Sequence, residues 1–230
     1  MVVALIRGIA ALSAPPLRRT VALALGLSAA TFAALWLAFA AALYNTVLFS
    51  WRPLDWLVDL LGGFTVLLLS WLLFPAVVTM IAGCFVERIA AAVEGLDYPA
   101  NGPPRRQPWG EIIAAAGRLG AMTIVLNLLA LPLYLMVPGI NLVLFLALNG
   151  YLFGRGYFEV VALRRLDAAT AKTLRRRFAG RIFLGGLAIA GLFALPLVNL
   201  VAPVIAIAFM VHVFEALPRN APLPAAGSAV

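Results

Sequence analysis

Four long runs without a charged residue constrain this chain more than any other feature of its sequence. A helix of about 20 apolar residues crosses the ~30 Å hydrocarbon core of a bilayer, and each run exceeds that length. About a quarter of the residues in a soluble domain are charged, whereas this chain has 11% charged and 64% hydrophobic residues. The sequence therefore predicts an all-α membrane protein, because lipid has to solvate much of it. The runs are residues 20–51, 60–86, 119–154 and 182–214.

The first two runs each predict one long transmembrane helix. Thr20–Tyr44 is long enough for one span and has Trp36 toward one end, where interfacial aromatic residues collect. Leu60–Val86 predicts the second span, with a kink at Pro75 because proline removes one helical hydrogen bond. We expect the short segment between the two spans to lie outside the hydrocarbon core.

The third and fourth runs share an interruption that predicts a helical hairpin in each. Both interruptions read aliphatic-Pro-x-aliphatic-Asn-Leu, 58 residues apart. Proline ends a helix, and Pro-Gly is a turn signal. We expect each asparagine side chain to bond the backbone groups that the break leaves free, since lipid cannot hydrate them. The hairpin-turn residues are Pro138, Gly139 and Asn141 in the first hairpin, and Pro196 and Asn199 in the second.

The lengths of the hairpin arms indicate how deeply the hairpins enter the membrane. Leu142–Gly154 has 13 residues and Ile182–Leu195 has 14, which corresponds to about 20 Å of helix. Apolar helices of this length favour re-entrant segments over full spans. We therefore predict two partly inserted helical hairpins. A short-looped pair of full spans stays open as the alternative, because tilt and the true arm limits are not set by the uncharged run.

The distribution of arginine predicts the orientation in the membrane. Arg7, Arg18 and Arg19 precede the first span, only Arg52 lies between the first two spans, and the remaining basic residues follow the second. Positively charged segments stay in the cytoplasm. The chain is therefore predicted to be a multi-pass protein with both termini cytoplasmic.

Charged segments beside the hairpins predict a surface or interfacial helix at residues 111–118 and an interfacial or cytoplasmic helix pair at residues 154–181. The spacing Gly150-x-x-x-Gly154 allows a close helix contact within the first hairpin, with loose packing as the alternative. We interpret residues 1–217 as a single integral membrane domain. Residues 218–230, which are rich in proline and alanine, are predicted to form a disordered tail.

The sequence lacks the common motifs of enzymes and metal sites. It has no phosphate loop, no G-x-S-x-G and no H-E-x-x-H. His212 is the only histidine and Cys84 the only cysteine, so a zinc site, a histidine-based triad or a disulfide lacks its second partner. We therefore expect no enzyme, no metal and no other cofactor.

The net charge of +8 is assigned to cytoplasmic segments and anionic headgroups rather than to nucleic acid.

The candidate anion-binding residues are Leu17, Arg18 and Arg19, which open the first span after two prolines. The start of a helix attracts anions, and two adjacent guanidinium groups match the oxygens of a tetrahedral oxyanion. The same arginines also serve as topological anchors of the first span. Both interpretations stay open at this point.

Four motifs follow one another along the chain: Pro-Leu-Arg-Arg before the first span, the Pro-Gly turn, Arg176-x-Phe178-x-Gly180, and the second proline turn. Taken in this order, they resemble the motifs of the CysZ sulfate permease and etoposide-induced-protein domain family. The resemblance covers most of residues 5–217. The family's motif glycine is Pro16 here, and a Tyr-Phe-Glu-Val stretch stands where the permeases have Asp-Tyr-Pro.

The resemblance implies a bacterial inner-membrane protein with two long spans and two partly inserted hairpins that assembles as a homo-oligomer. It further implies uptake of sulfate for cysteine synthesis, with sulfate bound at the motif that is Leu17-Arg18-Arg19 here. The expected partners are therefore membrane lipid and sulfate or another oxyanion. Two functions are carried forward: a transporter or channel for such an anion, and a non-transporting membrane scaffold or envelope protein of the same family.

Overall fold

The structure, a computed structural model, describes residues 1–44, 63 and 64, 85–137 and 139–218. Throughout these ranges the regular elements are helices and no strand occurs, which confirms the all-α prediction. A short 3-10 helix, Pro99–Asn101, follows α3. The helices are α1 Val2–Ala11, α2 Pro15–Tyr44, α3 Val86–Asp97, α4 Trp109–Met136, α5 Asn141–Ala162, α6 Ala168–Arg177, α7 Ala179–Ala194, α8 Pro196–Asn199 and α9 Ala202–Glu215.

The first predicted span lies within α2, which has 30 residues and is about 45 Å long. It begins at two prolines, whose fixed φ suits the first turn of a helix. The second predicted span, Leu60–Val86, lies almost wholly outside the described residues. The segment that joins the two spans and most of the predicted tail also lie outside them.

By length and composition, α4 is the one described helix that is long and apolar enough to cross a membrane. Only 6% of its most apolar 18 residues are buried, so most of the apolar surface of this helix is available for contact with lipid. The helices α6 and α7 meet at 88° and pass the same test only as a pair, either as a broken span or as a re-entrant loop.

The first hairpin is longer than the uncharged run predicted. The segment 111–118, predicted as a separate interfacial helix, is the beginning of α4, which continues through Pro132. The second arm, α5, has 22 residues instead of 13 and is about 33 Å long. It passes beyond Gly154 into charged sequence, where Arg155 and Glu159 form an ion pair along the helix at 3.6 Å. The argument from arm length for partial insertion is therefore wrong for this hairpin.

The second hairpin has short arms, and the arm before the turn is close to the predicted 14 residues. One arm, α7, has 16 residues, and the other, α9, has 14. These correspond to about 24 Å and 21 Å, both short of the hydrocarbon thickness. Re-entry therefore remains a proposal that suits this hairpin.

The two turns differ in their backbone and in the place of their asparagine. Pro138 lies outside the described residues, and Gly139 has φ 103°, a conformation that favours glycine. Asn141 is exposed and is the first residue of α5, whereas Asn199 is half-buried and ends α8, the short helix that begins at Pro196. The Asn199 Oδ1 atom is buried and accepts no hydrogen bond within the described chain.

Backbone bonds close the second turn instead of the predicted asparagine bond. The Asn199 N–H donates to the Leu195 carbonyl at 2.8 Å, and the Val201 N–H donates to the Val198 carbonyl at 3.0 Å. The prediction that the Asn199 side chain bonds the freed backbone groups is not met at its Oδ1, and the two asparagines do not occupy equivalent positions. A backbone that continues as short helical turns satisfies its own groups without needing the side chain.

The core is organised around α9, in which every residue from Ala202 to Phe214 is buried. A helix that is apolar on all sides is stable only when other helices surround it. Here α1, α3, α5 and α7 pack against it. At the contact with α1, a Cβ placed on Gly8 would lie 3.0 Å from the Phe209 backbone nitrogen, so glycine permits the close approach.

The most extensive contact between described helices joins α5 to α7. A Cβ on Gly186 of α7 would collide with the backbone at Gly150 and Gly154 of α5, and one on Gly154 would lie 2.6 Å from the Ile182 carbonyl oxygen. The Gly150-x-x-x-Gly154 spacing therefore does serve close packing. The prediction that this contact lies within the first hairpin is wrong, because the glycines join the first hairpin to the second.

Candidate functional site

The predicted anion residues lie together on the first turn of α2. Leu17 is fully buried in the main core, whereas Arg18 and Arg19 are exposed. The most extensive contact of α2 with another described helix is with α3. Leu17 thus anchors the turn, and the two guanidinium groups remain accessible.

The backbone at the start of α2 offers fewer donors than a usual helix start. Pro15 and Pro16 have no N–H, and the Arg18 N–H donates to the Ala14 carbonyl at 2.9 Å. The Thr20 hydroxyl donates to the Pro16 carbonyl at 3.0 Å, so it stabilises the turn. An anion at this site would therefore be held mainly by the two arginine side chains.

A second group of arginines is buried between α3 and the segment after α5. The Arg164 side chain is 1% exposed, and its Nε donates to Glu94 Oε1 at 3.0 Å. Arg164 also pairs with Glu87, and Arg165 pairs with Glu94. We call these four residues the buried ion cluster; its two positive charges face two carboxylates.

The electrostatics of the buried ion cluster keep Arg164 charged. Burial lowers the pKa of its guanidinium, but hydrogen bonds and charge from Glu94 and then Glu87 outweigh burial and hold the pKa above its usual value. Arg165 also donates to the carbonyl oxygens of Asn101 at 3.1 Å and Gly102 at 2.8 Å. This cluster therefore ties α3 and the loop after it to the end of α5.

A third group of basic residues lines two adjoining cavities of about 570 and 420 Å³. Both cavities are lined by Arg155, Arg175 and Arg176, so the same three guanidinium groups border both spaces. Glu159 is the one carboxylate among the lining residues, and its Oε2 lies 3.6 Å from Arg155 Nε. We call the site the arginine cleft; its basic residues are Arg118, Arg155, Lys172, Arg175 and Arg176.

Among the described residues, positive charge in the arginine cleft exceeds the negative charge that lines it. Burial and the nearby charge of Arg155 lower the pKa of Arg175, and Glu159 and a hydrogen bond with Tyr151 oppose this only in part. Neighbouring positive charges destabilise each other unless an anion lies between them. The cleft therefore has the electrostatic character of an anion site.

The arginine cleft is not among the sites predicted from the sequence. The segment around Arg175 and Arg176 was predicted to be interfacial or cytoplasmic, without a relation to Arg118 or Arg155. One signal was available: Arg155 is the first charge after 36 uncharged residues, and it lies within a helix. A charge at such a position is more often functional than an arginine in a polar loop.

The single histidine, His212, is buried in α9 beside the end of α3. Its Nδ1 and the Tyr98 hydroxyl are joined by a hydrogen bond of 2.9 Å, and its Nε2 lies 3.7 Å from Asp97 Oδ2. This agrees with a packed histidine. No group of three or more His, Cys, Asp or Glu residues suited to a metal ion occurs within the described ranges.

Comparison with known proteins adds one finding. A family model described as sulfate transporter CysZ/etoposide-induced protein 2.4 matches residues 4–203. This range contains the start of α2, both turns, the buried ion cluster and the arginine cleft. No curated protein and no solved structure matched the chain.

Proposed function

Because the chain belongs to the sulfate transporter CysZ/etoposide-induced protein 2.4 family, we propose that it carries sulfate or a similar oxyanion across a membrane. The family is one of transporters rather than enzymes. The match extends over nearly the whole chain, so the proposal concerns the entire helical assembly. The open apolar surface of α4 supports a place for this assembly in lipid.

The observation that carries the proposal is the exposed pair Arg18 and Arg19 on the first turn of a 30-residue helix. Each guanidinium presents a planar fork of N–H donors, which can bind two oxygens of a sulfate ion. Buried Leu17 holds this turn against the core, so the forks start from a rigid base. We assign sulfate binding to Leu17, Arg18 and Arg19.

We place the protein in the bacterial inner membrane as a multi-pass homo-oligomer with both termini in the cytoplasm. The excess of arginine on one side of the predicted spans supports this orientation. In a variant without Cys84, a cysteine at Asn101 should resist impermeant thiol reagents in whole cells, and one at Asp55 should be labelled. External labelling at position 101 would contradict this topology.

Sulfate flux into proteoliposomes tests the function and the site together. The variant Arg18→Lys, Arg19→Lys keeps the charge needed for insertion but loses the forked geometry. We expect it to insert normally and to pass sulfate several-fold more slowly, because roughly one charge-assisted hydrogen bond to the anion is lost. The matched control Arg88→Lys, Arg106→Lys changes two exposed arginines outside the site and should leave flux unchanged.

The outcomes separate a transporter from the non-transporting scaffold. Wild-type protein without sulfate flux would favour the scaffold. Flux that is equal in the wild type and in the Arg18→Lys, Arg19→Lys variant would make these arginines topological anchors only. Pro16→Gly restores a backbone donor at the family's glycine position, and a working sulfate site should tolerate it or improve.

A further inference from the structure

The arginine cleft lies where α6 and α7 meet at 88°. Its walls come from three helices: Tyr151 and Arg155 from α5, Arg175 and Arg176 from α6, and the first two turns of α7. Arg118 of α4 borders the adjoining cavity. Residues far apart in the sequence thus bring guanidinium groups together around the same cleft.

Helix stability does not account for this concentration of charge. Arg175 and Arg176 are in the last turn of α6, where positive charge favours the helix dipole. That explanation does not extend to Arg155, which lies within α5, or to Arg118 in α4. The convergence of Arg155 with Arg175 and Arg176 on both cavities, and of Arg118 on one of them, is therefore a separate property of the tertiary fold.

Arg155 is the part of the cleft that most needs a ligand. Its side chain is 12% exposed, and its buried Nε–H has no hydrogen-bond partner within the described chain. Glu159 Oε2 is too far from this Nε for a hydrogen bond, at 3.6 Å, and Nη1 faces the Met122 sulfur, a weak acceptor. A buried charged donor without an acceptor is costly, and an anion in the cleft would supply one.

Backbone at the same corner adds to the attraction for anions. Ala179 and Gly180 line the larger cavity and belong to the first turn of α7, where N–H groups have no acceptor within the helix. A Cβ on Gly180 would meet no atom within 4 Å, so there is open space beside this turn. The cavity of about 570 Å³ is large enough for a small anion or a headgroup.

We propose that the arginine cleft binds a tetrahedral oxyanion of the phosphate class, held by Arg155, Arg175 and Arg176. Arginine forks bind phosphate oxygens in pairs, and α7 directs the positive end of its dipole toward the same space. The anion is either free in solution or the phosphate of an anionic lipid headgroup; the recognition chemistry is the same for both. This site uses none of the residues assigned to sulfate binding, so it stands or falls separately from the transport proposal.

Binding to purified protein tests the cleft and identifies the source of the anion. In one arm, inorganic phosphate is titrated into delipidated protein in a neutral detergent. In the other, retention of phosphatidylglycerol is compared with that of phosphatidylcholine by native mass spectrometry. Wild-type protein should bind phosphate, retain the anionic lipid selectively, or do both.

Variants connect the binding to the cleft. The variant Arg175→Gln, Arg176→Gln should lower the affinity for whichever anion binds by at least about tenfold, since two charge-assisted contacts are lost. Arg175→Lys, Arg176→Lys keeps the charge and should weaken it less. The matched control Arg88→Gln, Arg106→Gln removes the same charge from exposed residues that border neither cavity and should bind as wild type does.

Three results would overturn the proposal. One is the absence of both phosphate binding and selective lipid retention in the wild type. Another is equal weakening by the cleft variant and the matched control, since only net charge would then matter. Arg18→Lys, Arg19→Lys should leave cleft binding intact; a loss in that variant alone would move the anion to the start of α2 and refute the cleft.

Discussion

Arg155 and Arg164 are nine residues apart in the sequence and have opposite electrostatic surroundings. Arg164 is 1% exposed and pairs with Glu94 and Glu87, so its charge is matched within the fold. Arg155 is 12% exposed and shares its surroundings with Arg175 and Arg176, with Glu159 at 3.6 Å as its acidic neighbour. Burial alone does not distinguish the two arginines; the number of nearby carboxylates does.

This difference separates two uses of arginine in one helical assembly. A buried guanidinium with matching carboxylates adds little net stability, but removing one partner leaves an uncompensated charge. A guanidinium group that faces other guanidinium groups costs stability in the empty protein and becomes favourable when an anion arrives. The buried ion cluster therefore holds α3 to the end of α5, whereas the arginine cleft remains available to bind an anion.

The largest predicted effect comes from breaking the charge balance of the buried ion cluster. Glu94→Gln removes a carboxylate that is 6% exposed and contacts both Arg164 and Arg165. We expect it to lower the free energy of unfolding by about 3–5 kcal/mol, because two buried guanidinium groups lose their shared partner. The apparent melting temperature in detergent measures this effect.

Glu87→Gln is the matched control for Glu94→Gln. It removes the other carboxylate that pairs with Arg164, but the Glu87 side chain is 70% exposed. An exposed ion pair contributes about 0–1 kcal/mol, so this variant should be close to wild type. Equal melting temperatures for the two variants would show that Glu94 does not act through buried charge.

Local signals in the sequence were sufficient for part of this architecture. Two prolines marked the start of α2, and the interruption at Pro196 separated α7 from α9, with α7 close to the arm length predicted before the break. Each of these features depends on residues adjacent in the chain. The length of α5 was missed because the uncharged run ended at Gly154 and the helix did not.

The arginine cleft could not be predicted from local pattern. Arg118, Arg155 and Arg175 lie on three helices, and which faces meet depends on how those helices cross. The crossing of α5 with α7 in turn depends on glycines 32 or more residues apart, Gly154 and Gly186. The pair Arg18 and Arg19 was found because its two members are neighbours in the sequence, whereas the cleft is a product of tertiary packing.

The second prediction tests whether the cleft stabilises the empty protein. Arg175→Gln, Arg176→Gln should change the free energy of unfolding by no more than about 0.5–1 kcal/mol in lipid-free detergent, and toward higher stability, since repulsion with Arg155 is relieved. The measurement is the melting temperature in low salt and in about 1 M salt, where screening should reduce the difference. A marked loss of stability would assign these arginines to the scaffold, like Arg164.

The smallest predicted effect concerns Asp167, a carboxylate that positions arginines without neutralising them. It caps α6, since its Oδ1 accepts from the N–H groups of Ala169 and Thr170 at 2.9 Å each, and the Thr170 hydroxyl donates to its Oδ2 at 2.8 Å. Two arginines of the cleft, Arg175 and Arg176, are at the other end of this helix. Asp167→Ala should fray the first turn and weaken anion binding by less than the double arginine variant does.

Asparagine caps a helix as well as aspartate does, so Asp167→Asn should preserve both binding and melting temperature at pH 7. The bonds from Thr170 and then Ala169 hold the pKa of Asp167 below its usual value. A depressed pKa in the folded state means that the cap contributes fully above the unfolded pKa of about 3.9 and is lost as the pH falls through the folded pKa. The amide does not titrate, so Asp167→Asn should melt at a higher temperature than wild type once the pH is below about 4. Parallel melting temperatures at every pH would contradict a charged cap. Weaker anion binding in Asp167→Asn at pH 7 would instead show that the carboxylate acts on the arginines through its charge, as Glu94 does.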